Sequence, residues 1–453
     1  MITIKEYLEQ NGYVTASDDT YEHIQEWEDW YSGYVKRFHT YNVYNGVQMI
    51  SQERERLNMA KTICEDWASL ILNEKVNIHT DSSFDDVIDQ VFEYNNFRVK
   101  GNQLIELAFA FGTGAFVEYL DSTGEVVIDY IRAGMIYPLS WENGYINECA
   151  FGSVRESKDG KQIYLQIHKL HESDNQYIIE NHMIDAESGQ EQELPEDMED
   201  EVQTKSEKPL FQIITPNLIN NIDLDSPLGI SVFGNAISQL KGCDLVYDSY
   251  LNEFKLGRRR ILVPVSMAKV QMQENGVGKP VFDPNDTTFY AIPDGRDNQQ
   301  KIEAMDMSIR ASEHELGITK ALDLLSFKCG MGTGRYRFEN GTVKTATEVI
   351  SEKSDLFQSL KKHEIVVGDA IKGLVNAIAF LKGTEIKNDV VIDFDDSIIE
   401  DKQSERKQDM SDMAAGIMRP EEYRAKYYNE TIEEAKANLP KVAEEEEETA
   451  GDE

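Results

Sequence analysis

At 453 residues the chain exceeds what one hydrophobic core usually supports, and its apolar content is ample for several packed subdomains. Its 83 Asp and Glu stand against 45 Lys and Arg, a formal charge of −38 that repels a phosphate backbone at long range and so excludes tight, general nucleic-acid binding. Cys64, Cys149, Cys243 and Cys329 lie far apart with no paired spacing, and read as small core residues of a reducing compartment. The N-terminal MITIKEYLEQNGY lacks the basic flank and apolar run of a leader, and no stretch approaches the roughly 18 apolar residues of a membrane span.

The first hundred residues read as helical. Tyr21 to Tyr44 is rich in aromatics, Glu53 to Asn73 carries Leu57, Ile63, Cys64, Trp67, Leu70 and Ile71 at near-helical spacing, and Asn102 to Phe111 ends at Gly112 and Gly114. From Ala115 the period becomes two: FVEYL and EVVIDYI flank Ser-Thr-Gly as a hairpin, and a meander continues to His171. Glu187 to Lys208 is acidic and poor in apolar residues, which predicts a solvated loop.

Ser226-Pro227 reads as the start of a long helix closing at Gly257, with Val232, Phe233, Ile237, Leu240, Val246, Leu251 and Phe254 as its apolar stripe. Residues 258–301 are punctuated by prolines around ILVPV and TTFYAI and predict a small β-containing knob. A second helix spans Ser308 to Lys328. The glycine-rich GMGTGRYRFENGTVK that follows predicts an exposed, mobile loop, and Thr345 to Leu381 the longest helix. NDVVIDFDD offers a strand, residues 401–440 two amphipathic helices, and 441–453 a disordered acidic tail.

Chemistry is hard to find in this pattern. GMGTGRY follows a helix rather than a strand and completes no phosphate-binding motif, and GVGKP has Pro280 where a magnesium-holding hydroxyl would stand. His168 and His171 fall on opposite faces of one strand, and with His182 they make a weak metal candidate. Carboxylates are too abundant for their pairing to inform, and neither a Ser-His-Asp elbow nor a cysteine nucleophile context is present, so no catalytic residue, cofactor or metal is expected. Clustered cations stand out instead. Arg258, Arg259 and Arg260 suit a helix C-terminus and its ion pairs, or an intersubunit contact. Arg335, Tyr336, Arg337, Asn340 and Lys344 give the glycine-rich loop groups that could touch phosphates transiently.

The order of these segments resembles the portal, or head-to-tail connector, proteins of long-tailed bacteriophages. The likeness rests on AFGTGAFVEY with IDYIRAGMIYPLSW, the helix-knob-helix block, GTVKTATEVISEKSDLF opening the long helix, and GIMRPEEYRAKYYNETIEEAKANL before an acidic end. It implies a mixed α+β, helix-rich, portal-type fold: wing 1–225, stem helices 226–256 and 308–330, clip 257–307, tunnel loop 331–345, long wing helix and strand 346–400, and crown helices 401–440. It also implies a ring of about twelve copies at one capsid vertex of the virion, assembled in the host cytoplasm. The implied partners are the large terminase, a head-completion or adaptor protein, the major capsid protein, scaffolding protein, and double-stranded DNA passing without sequence specificity. In that frame the loop residues face the DNA channel and Arg258 to Arg260 serve the clip or the subunit contact. Two other classes stay open on sequence alone: an acidic soluble adaptor or inhibitor of a basic partner, and a metal-dependent nucleic-acid enzyme.

Overall fold

The computed structural model describes residues 2–44, 47–80, 84–157, 160–171, 173–196, 198–257, 260–264, 271–272, 278–279, 289–292, 303–305, 308–337, 346–386, 389–394, 402–428 and 432–439. Arg258, Arg259, Asn340, Lys344 and the acidic tail lie outside them. The chain divides into two compact units, one of Met1–Asn340 with Ser354–Phe394 and one of Gly341–Lys353 with Asp395–Glu453.

The first unit begins with α1 (Ile4–Gln10), α2 (Asp18–Ser32) and α3 (Lys36–His39), then the hairpin β1 (Thr40–Tyr44) and β2 (Met49–Glu53). The helical reading of 21–44 therefore fails at Thr40. Thr-Tyr-Asn-Val-Tyr is β-branched and aromatic, and Asn45-Gly46 is a strong hairpin signal in the sequence. Next come α4 (Met59–Ile71), β3 (Asn77–His79), α5 (Asp85–Tyr94) and α6 (Phe97–Phe111).

The predicted hairpin is β4 (Gly114–Leu120) with β5 (Val126–Arg132), and β12 (Phe211–Ile214) pairs with the other edge of β4. The meander is antiparallel: β6 (Ile136–Glu142), β7 (Tyr145–Ser157), β8 (Gly160–Leu170) and β9 (Tyr177–Asp185). Two short strands, β10 (Glu191–Gln192) and β11 (Glu201–Gln203), pair with β9 inside the stretch expected to be loop; their exposed polar residues hid them. Helix α1 lays Ile4, Tyr7 and Leu8 onto Ile163, Leu165, Ile167 and Ile184 of this sheet.

The helix expected from Ser226 starts later than that. Residues 226–233 are not helical, and α7 runs Ile237–Leu256. Leu228, Ile230, Val232 and Phe233 are buried there as an irregular, non-helical plug, with Val232 N–H donating to the Phe109 carbonyl at 2.9 Å. The plug crosses the end of α6, where Gly112 is left-handed at φ 81°. A Cβ on Gly229 would stand 2.3 Å from the Gly112 carbonyl oxygen, and one on Gly112 2.5 Å from that of Gly229. Only two glycines let these backbones touch.

The knob contains β13 (Arg260–Pro264), β14 (Gln271–Met272), β15 (Gly278–Lys279), β16 (Phe289–Ile292) and β17 (Glu303–Met305), with β13 between parallel β16 and antiparallel β17. Then follow α8 (Ala311–Lys328), α9 (Ala346–Leu381) and β18 (Val391–Asp393), which pairs with β3. At 36 residues, α9 is about 54 Å long. The second unit holds α10 (Lys402–Ala414), α11 (Pro420–Tyr428) and α12 (Ile432–Ala437), three helices where two were expected. Arg406 lies over the rings of Tyr423, Tyr427 and Tyr428 and donates to the Tyr423 hydroxyl at 2.9 Å.

Glu118 of β4 is fully buried opposite Ile128, and neither carboxylate oxygen has a well-formed hydrogen bond. Burial pushes its pKa up to about 8, against a weaker opposing pull from Gln212 on the same face. The folded state thus holds a proton that the unfolded chain releases near 4.5, so stability falls as pH rises from there through about 8. Glu118→Gln should remove this dependence, and its melting-temperature advantage over the wild type should grow between pH 5 and 9. A constant difference would refute the buried proton. Gly229→Ala should cost about 3 kcal/mol in denaturant unfolding, because backbone rather than a side chain stands in the way.

Candidate functional site: the glycine loop and the helices that hold it

Beyond α8 the chain reverses through Gly330, Gly332 and Gly334, with φ of 76°, 71° and 86°. These left-handed glycines alternate with Met331, which is buried, and Thr333, which is exposed. Met331 N–H returns to the Ser326 carbonyl at 3.0 Å and Gly330 N–H to that of Phe327 at 3.2 Å, so the turn caps α8. The indole of Trp67, fully buried on α4, donates to the Cys329 carbonyl at 3.2 Å. This described part of the predicted loop is tied to the end of α8 and to α4.

Its arginines are paired within the chain. Arg335 Nε donates to Asp66 Oδ2 of α4 at 3.2 Å. Arg337 grips Asp323 of α8 with two parallel bonds, Nε to Oδ1 at 3.0 Å and Nη2 to Oδ2 at 2.9 Å. Asp323 is 8% exposed, and the guanidinium fork holds its carboxyl below the usual range. Between them Tyr336 is partly buried, and burial with the nearby Asp66 pushes its phenol up. Arg260 opens β13 opposite Met305.

Of the residues that position this turn, Trp67 stands out in the sequence only as an apolar helix residue, and the others do not stand out. Asp66 and Asp323 were hidden among 83 carboxylates. His363 of α9 stands edge-on to Trp67 and Phe109 at 4.8 and 4.9 Å between ring centroids, and its Nδ1 accepts the Asn217 N–H at 3.0 Å. Burial, with Lys362 nearby, lowers its pKa to about 3, so it packs as a neutral ring.

Other titratable groups are likewise built for packing. His168 is fully buried between Phe151 and Phe211, each ring 5.4 Å away, and burial takes its pKa to about 3. His171 sits at a turn beside Asp174 and Ser173, and His182 beside Glu191. Burial pushes the thiols of Cys243 and Cys329 up to about 12, and Cys64 and Cys149 also well above the usual value, so none is a thiolate at neutral pH. What the arrangement does is tie the described part of the loop to α4 and α8 with its two arginines neutralised.

The phage portal protein, SPP1 Gp6-like family model matches residues 12–452, and the chain belongs to that family. The family is structural rather than enzymatic, and its membership places the protein in a phage particle. No curated protein matches the chain. Among solved structures, a chain titled "Neck of native GTA particle computed with C12 symmetry" is similar at 11% identity and TM-score 0.40, with 84% of this chain and 89% of that chain covered.

The Arg337–Asp323 fork gives a direct test. Arg337→Gln leaves a nearly buried carboxylate facing an amide and should cost about 2 kcal/mol in denaturant unfolding. Asp323→Asn in the same background should return part of that loss. A double variant as unstable as the sum of the two singles would show that the pair is not coupled.

Proposed function

We propose that copies of this chain close into a ring of about twelve at one capsid vertex, and that DNA is packaged and ejected through it. In this reading residues 226–256 and 308–330 are the stem, 257–307 the clip on which the large terminase and later the head-completion protein dock, and 331–345 the tunnel loop. Residues 1–225 and 346–400 form the wing, and 401–440 the crown. Major capsid and scaffolding proteins surround the ring.

The family match over nearly the whole chain carries the portal assignment, and the paired arginines support the channel reading. A conduit must let its cargo go, and every phosphate held by an unpaired cation adds affinity and slows release. Here Asp66 and Asp323 neutralise Arg335 and Arg337, so the loop base presents donors without net charge.

Self-assembly has to overcome the repulsion of copies that each carry −38. The outward faces of the paired helices α7 and α8 supply apolar area, with Leu245, Leu256, Leu316, Leu324 and Phe327 all exposed. A monomer rarely leaves such a row in water.

Electron microscopy of the purified protein, with capsid-assembly conditions included, should show closed rings; their absence in every salt and assembly condition would sink the reading. Leu316→Ser with Phe327→Ser should raise the concentration needed for ring formation about tenfold while the monomer's melting temperature stays within a few degrees, since both side chains are already exposed.

A further inference from the structure

Within the wing segment, the β1–β2 hairpin has no task of its own in the reading above. It forms a two-stranded sheet with no third strand among the described residues, an arrangement that is marginal in water without something to cover it. Its two faces differ. Tyr41, Val43 and Ile50 are half-buried, whereas Asn42, Tyr44, Met49 and Ser51 share the opposite face and are exposed. Tyr44 and Met49 are paired directly across the strands, each 62% exposed, and Val47 beyond them is 85% exposed.

The base of this arm is rigid. Asp244 and Asp248, one turn apart on α7 and both buried, hold it on either side. Asp244 Oδ2 meets His39 Nε2 at 3.1 Å just before β1, and its Oδ1 accepts the Leu57 N–H at 2.8 Å after β2. Asp248 Oδ1 accepts the Glu55 N–H at 3.0 Å. Arg54 lies over the rings of Phe38 and Tyr41, 4.7 and 4.3 Å from their centroids, and donates to the Phe38 carbonyl. Three side chains, Asp244, Asp248 and Arg54, therefore fix the direction of a projection whose far end is apolar and exposed, which is the preorganisation expected of a binding arm.

Charge selects the partner. In a chain that is 28% charged, residues 40–52 contain no Asp, Glu, Lys or Arg. Duplex DNA would demand cations at the contact, and a basic or acidic partner would be met by opposite charges. A second copy of this chain, itself at −38, imposes the requirement this arm meets: to approach without adding like charge.

We infer that the β1–β2 hairpin is an intersubunit arm whose Tyr44, Val47 and Met49 dock on a neighbouring copy of the chain. The inference rests on the ring reading above, and two measurements separate them. A photo-crosslinking residue at position 47, in assembled wild-type rings, should yield a crosslinked dimer whose joined peptides come from two copies of the chain. The triple variant Tyr44→Ser, Val47→Ser, Met49→Ser should keep the monomer's melting temperature within a few degrees and raise the half-assembly concentration about tenfold or more. Wild-type rings with no such crosslink, or crosslinks only to DNA or to another virion protein, overturn the arm and leave the ring standing. So does a triple variant that assembles like the wild type. A wild-type chain that stays monomeric under capsid-assembly conditions overturns both.

Discussion

The indole of Trp67 is the contact on which the first unit's helices converge. It is fully buried, its N–H is satisfied by the carbonyl of Cys329, and its ring meets Phe109 of α6 and His363 of α9. One side chain on α4 thus touches α6, the end of α8 and the middle of α9. A buried indole without its acceptor leaves a donor stranded in an apolar core, so the position of Cys329, and with it the start of the glycine turn, is tied to the packing of three other helices. His363 belongs to the same cluster only as a neutral ring, because a charge there would have to be desolvated among aromatics.

Much of the architecture was legible from periodicity. The boundaries of α8 and α9 and the β4–β5 hairpin follow from apolar spacing and from Ser-Thr-Gly. The β1–β2 hairpin is hidden in an aromatic-rich stretch that suits a helix as well as a strand, although Asn45-Gly46 stands in the sequence. Residues 226–233 were read as helix because Leu228, Ile230, Val232 and Phe233 are as apolar as a buried helix, and an apolar run does not by itself declare its period. What accompanies their departure from helix is the crossing of Gly229 over Gly112, a contact between residues more than a hundred positions apart.

The loop illustrates a different limit. Its arginines were visible as candidates because cations are scarce here, but the carboxylates that neutralise them were lost in the abundance of their own kind. Charge counted along a sequence and charge presented by a folded surface are different quantities: Arg335 and Arg337 are two formal charges that together present almost none. The same distinction holds for Glu118, a formal anion whose burial lets it keep its proton well into the neutral range.

Asp244 and Asp248 have a mechanical meaning beyond their hydrogen bonds. They lie on one turn of α7, and the β1–β2 hairpin is suspended from that turn at both of its roots. Helix and hairpin therefore behave as shaft and crank: a roll of α7 about its axis swings the tip sideways, and a load on the tip returns to the helix as torque.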